Sequence, residues 1–382
     1  MDNNVFTETT STSWFSRIGN SIKGLLFGGI FIVLSIALLW WNEGRSVKTA
    51  KGLDDGEQVT VEAEAGTIDP AMQGKLVHVT GKTAVKTSAS DAEFGLTTSD
   101  VIKLKRRVEV FQWVEDKSES SSRKIGGGEQ TTTEYRYNRK WDEKIHDSSR
   151  FKYPQEHQNP PPRVLGAEFL APDASLGAFR LPDFLLSQWR DCQPHELPSM
   201  NQLPQPTRDL ATLQNQWLVL SKFPDDPRVG DARVRFESIK TGDASVLARQ
   251  VTDTFEAYAT PYGTCIARIT SGIQSKQAMF AAARTENKVV TWLLRAGGLL
   301  LMFFGFLALF QPLKILADIL PLAGSIVGAG TGLVALLLAA MGTFIVVALA
   351  WLWYRPVIGV SLLLLAGACL FLLFRALRRK TV

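Results

Sequence analysis

The sequence predicts a multi-pass α-helical membrane protein with an inserted α+β, strand-rich extramembrane domain. Two observations carry that prediction. Long runs without a charged residue sit near the N-terminus and in the last quarter of the chain, and the middle mixes charged, polar and apolar residues as a soluble domain does. The averages hide this contrast, since 46% hydrophobic and 21% charged over 382 residues would fit an ordinary soluble protein. The roughly 250 intervening residues suffice to bury a core of their own.

The segments follow in order. Residues 1–23 form a tail carrying Arg17 and Lys23. Gly24–Trp41 is uncharged and ends in Trp40-Trp41; its length, about 27 Å as a helix, approaches the hydrocarbon thickness of a bilayer. It outruns the apolar core of a cleaved signal peptide, and no small-x-small site precedes Asn42, so it is expected to stay as an anchor. Span two occupies 291–313, with its apolar run Ala296–Phe310 starting after Arg295. Residues 319–354 hold span three with its preceding connection, and 356–374 hold span four. Arg355-Pro356 separates these two, because an arginine at mid-bilayer costs roughly 2.5–3.5 kcal/mol and a proline breaks the helix. Arg375, Arg378, Arg379 and Lys380 in the tail 375–382 place the C-terminus in the cytoplasm. Counting back puts the domain, 42–290, in the lumen or periplasm and the N-terminal tail in the cytoplasm.

Gly324, Gly328 and Gly332 recur at every fourth position of span three, as Gly24 and Gly28 do in span one. Small residues at that spacing let helix backbones approach, within one chain or between two. No strand precedes Ser325–Gly332, so a nucleotide-binding loop is excluded there.

Within the domain, Val59–Glu64 and Lys75–Thr80 alternate as strands. Val101–Glu115 puts Ile102, Leu104, Val108, Val110 and Val114 on one face, and Thr131–Trp141 pairs with it around the Ser-rich, Gly126-Gly127-Gly128 connection, which reads as a mobile tip. A short helix is expected from Pro182 to Trp189. Further strands are expected at Asn215–Ser221, Asp231–Ile239, Val246–Tyr258 and Thr264–Thr270. Ser275–Leu294 reads as a helix running into span two without a Gly or Pro break.

Chemistry is harder to find. The four histidines, His78, His146, His157 and His195, form no metal-ligand pair at helical spacing. Cys192-Gln193-Pro194-His195 is half of a zinc site and reads as a surface turn. Cys192 and Cys265 could bridge if the domain faces an oxidising compartment, which spacing leaves open. No nucleophile elbow or phosphate loop occurs, so no catalytic, metal or cofactor residue is nominated. A pI near 9.0 suggests nucleic acid; the scatter of the basic residues, and their clustering at span ends, argues for a bilayer instead. The apolar runs lack ionisable groups, which argues against a transporter, and Lys314 with Asp318 reads as a local contact on a helix surface.

The run Trp41-Asn42-Glu43-Gly44-Arg45 with Lys48-Thr49-Ala50 resembles the post-anchor motif of the transmembrane protein 43 (LUMA) family. Gly74–Gly81, Leu104–Glu109 with Gln112-Trp113-Val114-Glu115, Val229-Gly230-Asp231, Thr291-Trp292 with Leu294-Arg295-Ala296, and Tyr354-Arg355-Pro356 are similar to the same family, in order from about Gly24 to Pro356. The resemblance implies four spans, both termini cytoplasmic, a large luminal domain, and a role in organising membranes. It implies self-association, membrane lipid and other membrane proteins as partners, and no catalytic residues. For a eukaryotic member it implies the endoplasmic reticulum and inner nuclear membrane, with emerin and lamins; a bacterial one would sit in the inner (cytoplasmic) membrane without them. The leading expectation is a non-enzymatic scaffold. A membrane-surface enzyme with its site in the domain, and a channel or transporter, are the alternatives: a cluster around His78 would favour the first, a polar cavity between spans the second.

Overall fold

A computed structural model describes residues 4–319 and 321–357; nearly all of the expected fourth span and the whole basic tail lie outside them. In chain order the helices are α1 (Trp14–Val59), α2 (Asp183–Gln188), α3 (Gln205–Arg208), α4 (Lys276–Ala317) and α5 (Pro321–Tyr354). The first five strands are β1 (Val5–Thr12), β2 (Val61–Glu64), β3 (Leu76–Ala84), β4 (Val101–Arg123) and β5 (Glu129–Asp142). Of the described residues, 4–8, 54–119 and 133–281 form one compact unit, and 9–53, 120–132 with the residues from 282 onward form the other.

The first unit is the α+β domain. One sheet runs β1, β5, β4, Ala232–Lys240, Trp217–Leu220, Ala211–Gln214. The second is built around β3, which pairs in parallel with β2 and antiparallel with Asp243–Val251. The alternation read in β4 sets its register: Val108 lies opposite Val234 and Leu104 opposite Ser238. Leu104, Val108, Val110, Leu218, Val234 and Phe236 close one core around Phe94. Val77, Val79 and Val246 close the other against Phe179, Phe255 and Trp189. Two buried charged residues of β4 are answered. Arg106 pairs with Asp91 at 2.8 Å and Glu93 at 2.7 Å, and burial pushes the Asp91 carboxyl up against the pull of Arg106. Lys103 donates to the carbonyls of Leu186, Ser187 and Trp189, satisfying the end of α2. Cys192 and Cys265 are both free thiols.

The strand expected at Val59–Glu64 is β2, but the helix of span one, expected to end at Trp41, continues to Val59. No proline interrupts this stretch, Val47 and Leu53 are buried, and Gly56 packs under Ile266, Leu76 and Phe280. Thr60 ends the helix by returning its hydroxyl to the Gly56 carbonyl at 2.5 Å. Val5–Thr12, expected in the N-terminal tail, is a strand. It is the edge strand of the domain's own sheet, with the Tyr137 amide donating to the Asn4 carbonyl at 2.8 Å.

The helical unit holds three helices long and apolar enough to cross a membrane. α1 and α4 run antiparallel. Gly28 faces Gly305, the Ser35 hydroxyl donates to the Gly298 carbonyl at 2.7 Å, and the Asn42 amide donates to the Thr291 carbonyl at 3.1 Å. Met302 of α4 lies against Gly342 of α5. Leu39, Met302, Ala339 and Val346 form the small apolar core between the three.

Candidate functional site: two buried ion sets in the helical unit

Glu43 is wholly buried. Its carboxylate accepts from Arg295 Nε at 2.6 Å and Arg295 Nη2 at 2.9 Å, and from Trp351 Nε1 at 2.8 Å. One residue from each of three helices therefore meets at a single carboxylate. The Arg295 guanidinium lies 4.9 Å from the Trp292 ring centre and 5.7 Å from that of Trp351, a geometry that favours a cation over a π face. A planar guanidinium presenting two parallel donors fits a carboxylate better than an ammonium would.

The neighbouring positions extend the set. Gly44 has no side chain because the Tyr354 ring occupies the space: an added Cβ would stand 2.7 Å from Tyr354 Cζ. Arg45 donates to Asn287 Oδ1 at 3.0 Å, Asn42 Oδ1 at 3.2 Å and Thr291 Oγ1 at 3.0 Å. Asn287 in turn donates to the Ser46 carbonyl at 3.0 Å. Arg355 stands over the Trp351 ring at 5.9 Å, and Pro356 beyond it is exposed.

The second set gathers around Asp318, also wholly buried. Arg17 approaches one oxygen at 2.6 Å and Arg123 the other at 2.9 Å. Arg17 also donates to the Gly127 carbonyl at 2.6 Å and pairs with Glu129 at 3.0 Å. The Gly126 amide donates to the Ile319 carbonyl at 3.2 Å, and Trp14 Nε1 to that of Ile315 at 2.9 Å. Gly127, at φ +80°, passes over the Trp14 ring where a side chain would collide. The β4–β5 tip, expected to be mobile, is thus fastened at the start of α1 and the end of α4. The local Lys314–Asp318 contact expected from the sequence is replaced by this pairing with Arg17 and Arg123.

Of the residues singled out in the sequence, Asn42, Glu43, Gly44, Arg45, Arg295, Tyr354 and Arg355 come together. Gln112 and Trp113 do not. They lie in the α+β unit, where Gln112 donates to the Lys144 carbonyl at 2.7 Å and the Trp113 backbone donates to and accepts from the Asn159 side-chain amide. Among the glycines, Gly24 and Gly28 face α4, a Cβ on Gly28 standing 2.7 Å from the Gly305 carbonyl oxygen. Gly324 leaves room for Asp318, and Gly328 lies over Lys314 at 3.2 Å. Gly332 has no described atom within 4 Å of its would-be Cβ. Asn287 was missed, as were the roles of Trp351, Thr291 and Asp318, of which Thr291 entered only through the resemblance and Asp318 only as a local contact with Lys314. Asn287, Thr291 and Arg295 recur every fourth residue, a polar stripe that could have been read from the sequence.

Chemically, each buried carboxylate is answered by a guanidinium. Glu43 is matched by Arg295, and Asp318 and Glu129 by Arg17 and Arg123. Among the described residues no group of three His, Cys, Asp or Glu could hold a metal ion. His195 turns its Nδ1 to Ser238 Oγ at 2.9 Å; burial, with Lys240 nearby, holds its pKa down, and burial pushes the Cys192 thiol up. His78 pairs with Glu62 at 2.5 Å without a hydroxyl beside it among the hydrogen bonds of the described residues.

The chain matches the sequence profile of the family described as Transmembrane protein 43 over residues 110–356. It is 30% identical to Transmembrane protein 43 of Rattus norvegicus over 362 residues, 92% of this chain and 89% of the relative. The Homo sapiens protein of that name is 30% identical over 95% of this chain and 91% of its own. The Transmembrane protein 43 homolog of Drosophila melanogaster is 28% identical over 91% and 93%. No solved structure matches the chain.

Proposed function

Because the chain belongs to the transmembrane protein 43 family, we propose that it is a non-enzymatic membrane protein that organises membrane-associated protein complexes and self-associates. The closed Glu43–Arg295–Trp351 set supports the reading. Ionisable groups buried among apolar helices are functional by default, and here they are spent on holding three helices in one register. A rigid bundle with apolar outer faces, such as the open groove of about 420 Å³ lined by Leu25, Leu26, Gly29, Ile30, Val33 and Leu34, suits lipid and helix partners. For a eukaryotic source the proposed membranes are the endoplasmic reticulum and inner nuclear membrane, with emerin and lamins as partners and envelope maintenance as the role. For a bacterial source it is the inner membrane, with other membrane proteins.

The experiment is co-purification of differently tagged copies from native membranes. Gly24 and Gly28 are used within the chain, so the contact between copies is assigned to the open Gly332 face. Gly332→Leu is expected to reduce co-purification about tenfold, worth about 1.4 kcal/mol. A chain that stays strictly monomeric overturns the reading. Orientation has its own test: reporters placed before Asn4 and in the exposed turn at Gly242 are expected to read the same compartment if β1 stays paired with β5. Opposite signals would mean that β1 leaves β5 when α1 spans the bilayer.

A further inference from the structure

The uncharged run of α1 closes on Trp40-Trp41, within a helix long and apolar enough to cross a membrane. Arg45 and Lys48 follow Trp41 by four and seven residues, which puts the three side chains on one face of the helix. That face is open, since Trp41 is 57% exposed and Lys48 is exposed. By helical rise Arg45 stands about 6 Å beyond Trp41, and Lys48 about 10 Å. The headgroup layer on each side of the hydrocarbon is about 5–7 Å deep, and interfacial tryptophans sit at its level. Arg45 therefore lies in that layer, and the apolar stem of Lys48 lets its ammonium reach back to it.

Positive charge is left over at this level. Glu43 is taken up by Arg295 and Trp351. Arg45 has only neutral acceptors among the described residues: Asn287 Oδ1 at 3.0 Å, Asn42 Oδ1 at 3.2 Å and Thr291 Oγ1 at 3.0 Å. They fix the guanidinium in place without matching its charge, and its Nε is buried with no hydrogen-bond partner. A guanidinium has five N–H donors and cannot shed its proton, so Arg45 is short of both a counter-charge and an acceptor. Lys48 makes no ion pair among the described residues.

We propose that this face binds the phosphate of an anionic phospholipid, held by Arg45 and Lys48 above Trp41. The phosphate supplies the missing charge and a further acceptor, and the planar guanidinium is the side chain best suited to its oxygens. Asn42, Asn287 and Thr291 are positioning residues, which hold Arg45 at the α1–α4 seam before the lipid arrives. A zwitterionic lipid brings its own cation beside the phosphate, so the site prefers a headgroup of net negative charge, such as phosphatidylglycerol. A soluble anion lacks the acyl chains that keep a phosphate at this depth. The site is complete within one chain, so its failure and that of self-association are separate results.

The test uses the full-length chain in detergent, offered equimolar phosphatidylglycerol and phosphatidylcholine, with native mass spectrometry counting the lipids retained. The expected result is a preference for phosphatidylglycerol. Lys48→Ala should lower that preference about fivefold, the equivalent of about 1 kcal/mol. Arg45→Gln should lower it at least as far. Because Arg45 also braces α1 against α4, thermal unfolding in phosphatidylcholine alone checks that this variant is folded; if it is not, the exposed Lys48 decides. Lys222→Glu, at an exposed position of the α+β unit, changes the net charge and should leave the preference as it was. Equal retention of the two lipids overturns the proposal, as does a preference that survives both substitutions or falls equally with Lys222→Glu. Displacement of phosphatidylglycerol by millimolar inorganic phosphate would show a site for soluble anions and overturn it as a lipid site.

Discussion

The two units bury opposite things. In the α+β unit the inside is apolar: Val77, Val79, Val246, Phe179 and Trp189 in one core, Leu104, Val234 and Phe236 in the other. In the helical unit the seams between helices are small or polar, made of Gly28, Ser35, Asn42, Glu43, Ser46, Asn287 and Thr291. There the large apolar side chains point out, with Leu26 72% and Phe344 74% exposed. A water-facing unit gains stability by hiding apolar area. Helices in lipid gain nothing that way, so close backbone approach and hydrogen bonds hold them instead. The first of these units should therefore answer to cavity-forming changes, the second to loss of a polar partner or to added bulk.

The largest effect is expected at Glu43. Glu43→Ala leaves the Arg295 guanidinium without its carboxylate in a dry seam, at about 3–5 kcal/mol. Thermal unfolding of the detergent-solubilised protein should show it. Replacing both partners with apolar residues, Glu43→Leu with Arg295→Met, should recover most of the loss, because no charge is then left buried. Equal losses in the single and double variants would show that the ion pair is not what binds α1 to α4. Gly28→Leu comes next. Its side chain would have to enter where the Gly305 carbonyl stands 2.7 Å away, an overpacking cost of about 1–3 kcal/mol. Gly29→Leu, where nothing lies within 4 Å, is its control, and a matching loss there would refute the assigned contact.

The difference between the units also decides what could be read from the sequence. β4 was legible because a sheet with one buried face imprints a two-residue period, and Ile102, Leu104, Val108 and Val110 carry it. The apolar runs were legible for the same reason on a coarser scale. The far end of α1 was not, because Arg45–Val59 mixes charge and small residues, and only its packing keeps it helical. β1 left no local mark: Val5–Thr12 is mostly Thr, Ser and Glu, and its partner lies more than a hundred residues away. The motif residues around Asn42 were picked out by resemblance, while their shared carboxylate appears only when three distant helices meet. The apolar runs looked free of charge because Glu43, Arg295 and Asp318 stand just beyond their ends, where the bundle nonetheless buries Glu43 and Asp318 completely.

The smallest effect is expected where the α+β unit holds β1 by a surface ion pair. The Lys152 ammonium, with the Tyr153 hydroxyl, holds the Glu8 carboxyl below its ordinary value of 4.5. A carboxylate with a depressed pKa in the folded state contributes stability above its unfolded pKa and loses it as the pH falls through the folded one. Lys152 is raised above 10.5 by hydrogen bonding and charge from Glu8, so its contribution is present below that value and lost as the pH climbs through the raised one. β1 should therefore sit most firmly between these limits and loosen at either end. Both groups are exposed and screened by salt, so Phe6 and the backbone pairing should keep most copies docked at neutral pH even when the pair is removed. Spin labels at positions 5 and 136 would report it as a longer-distance population that grows below pH 4.5. Glu8→Gln should abolish that growth, since an amide has no proton to gain in this range, and a variant that still loosens in acid would shift the sensitivity to another carboxylate.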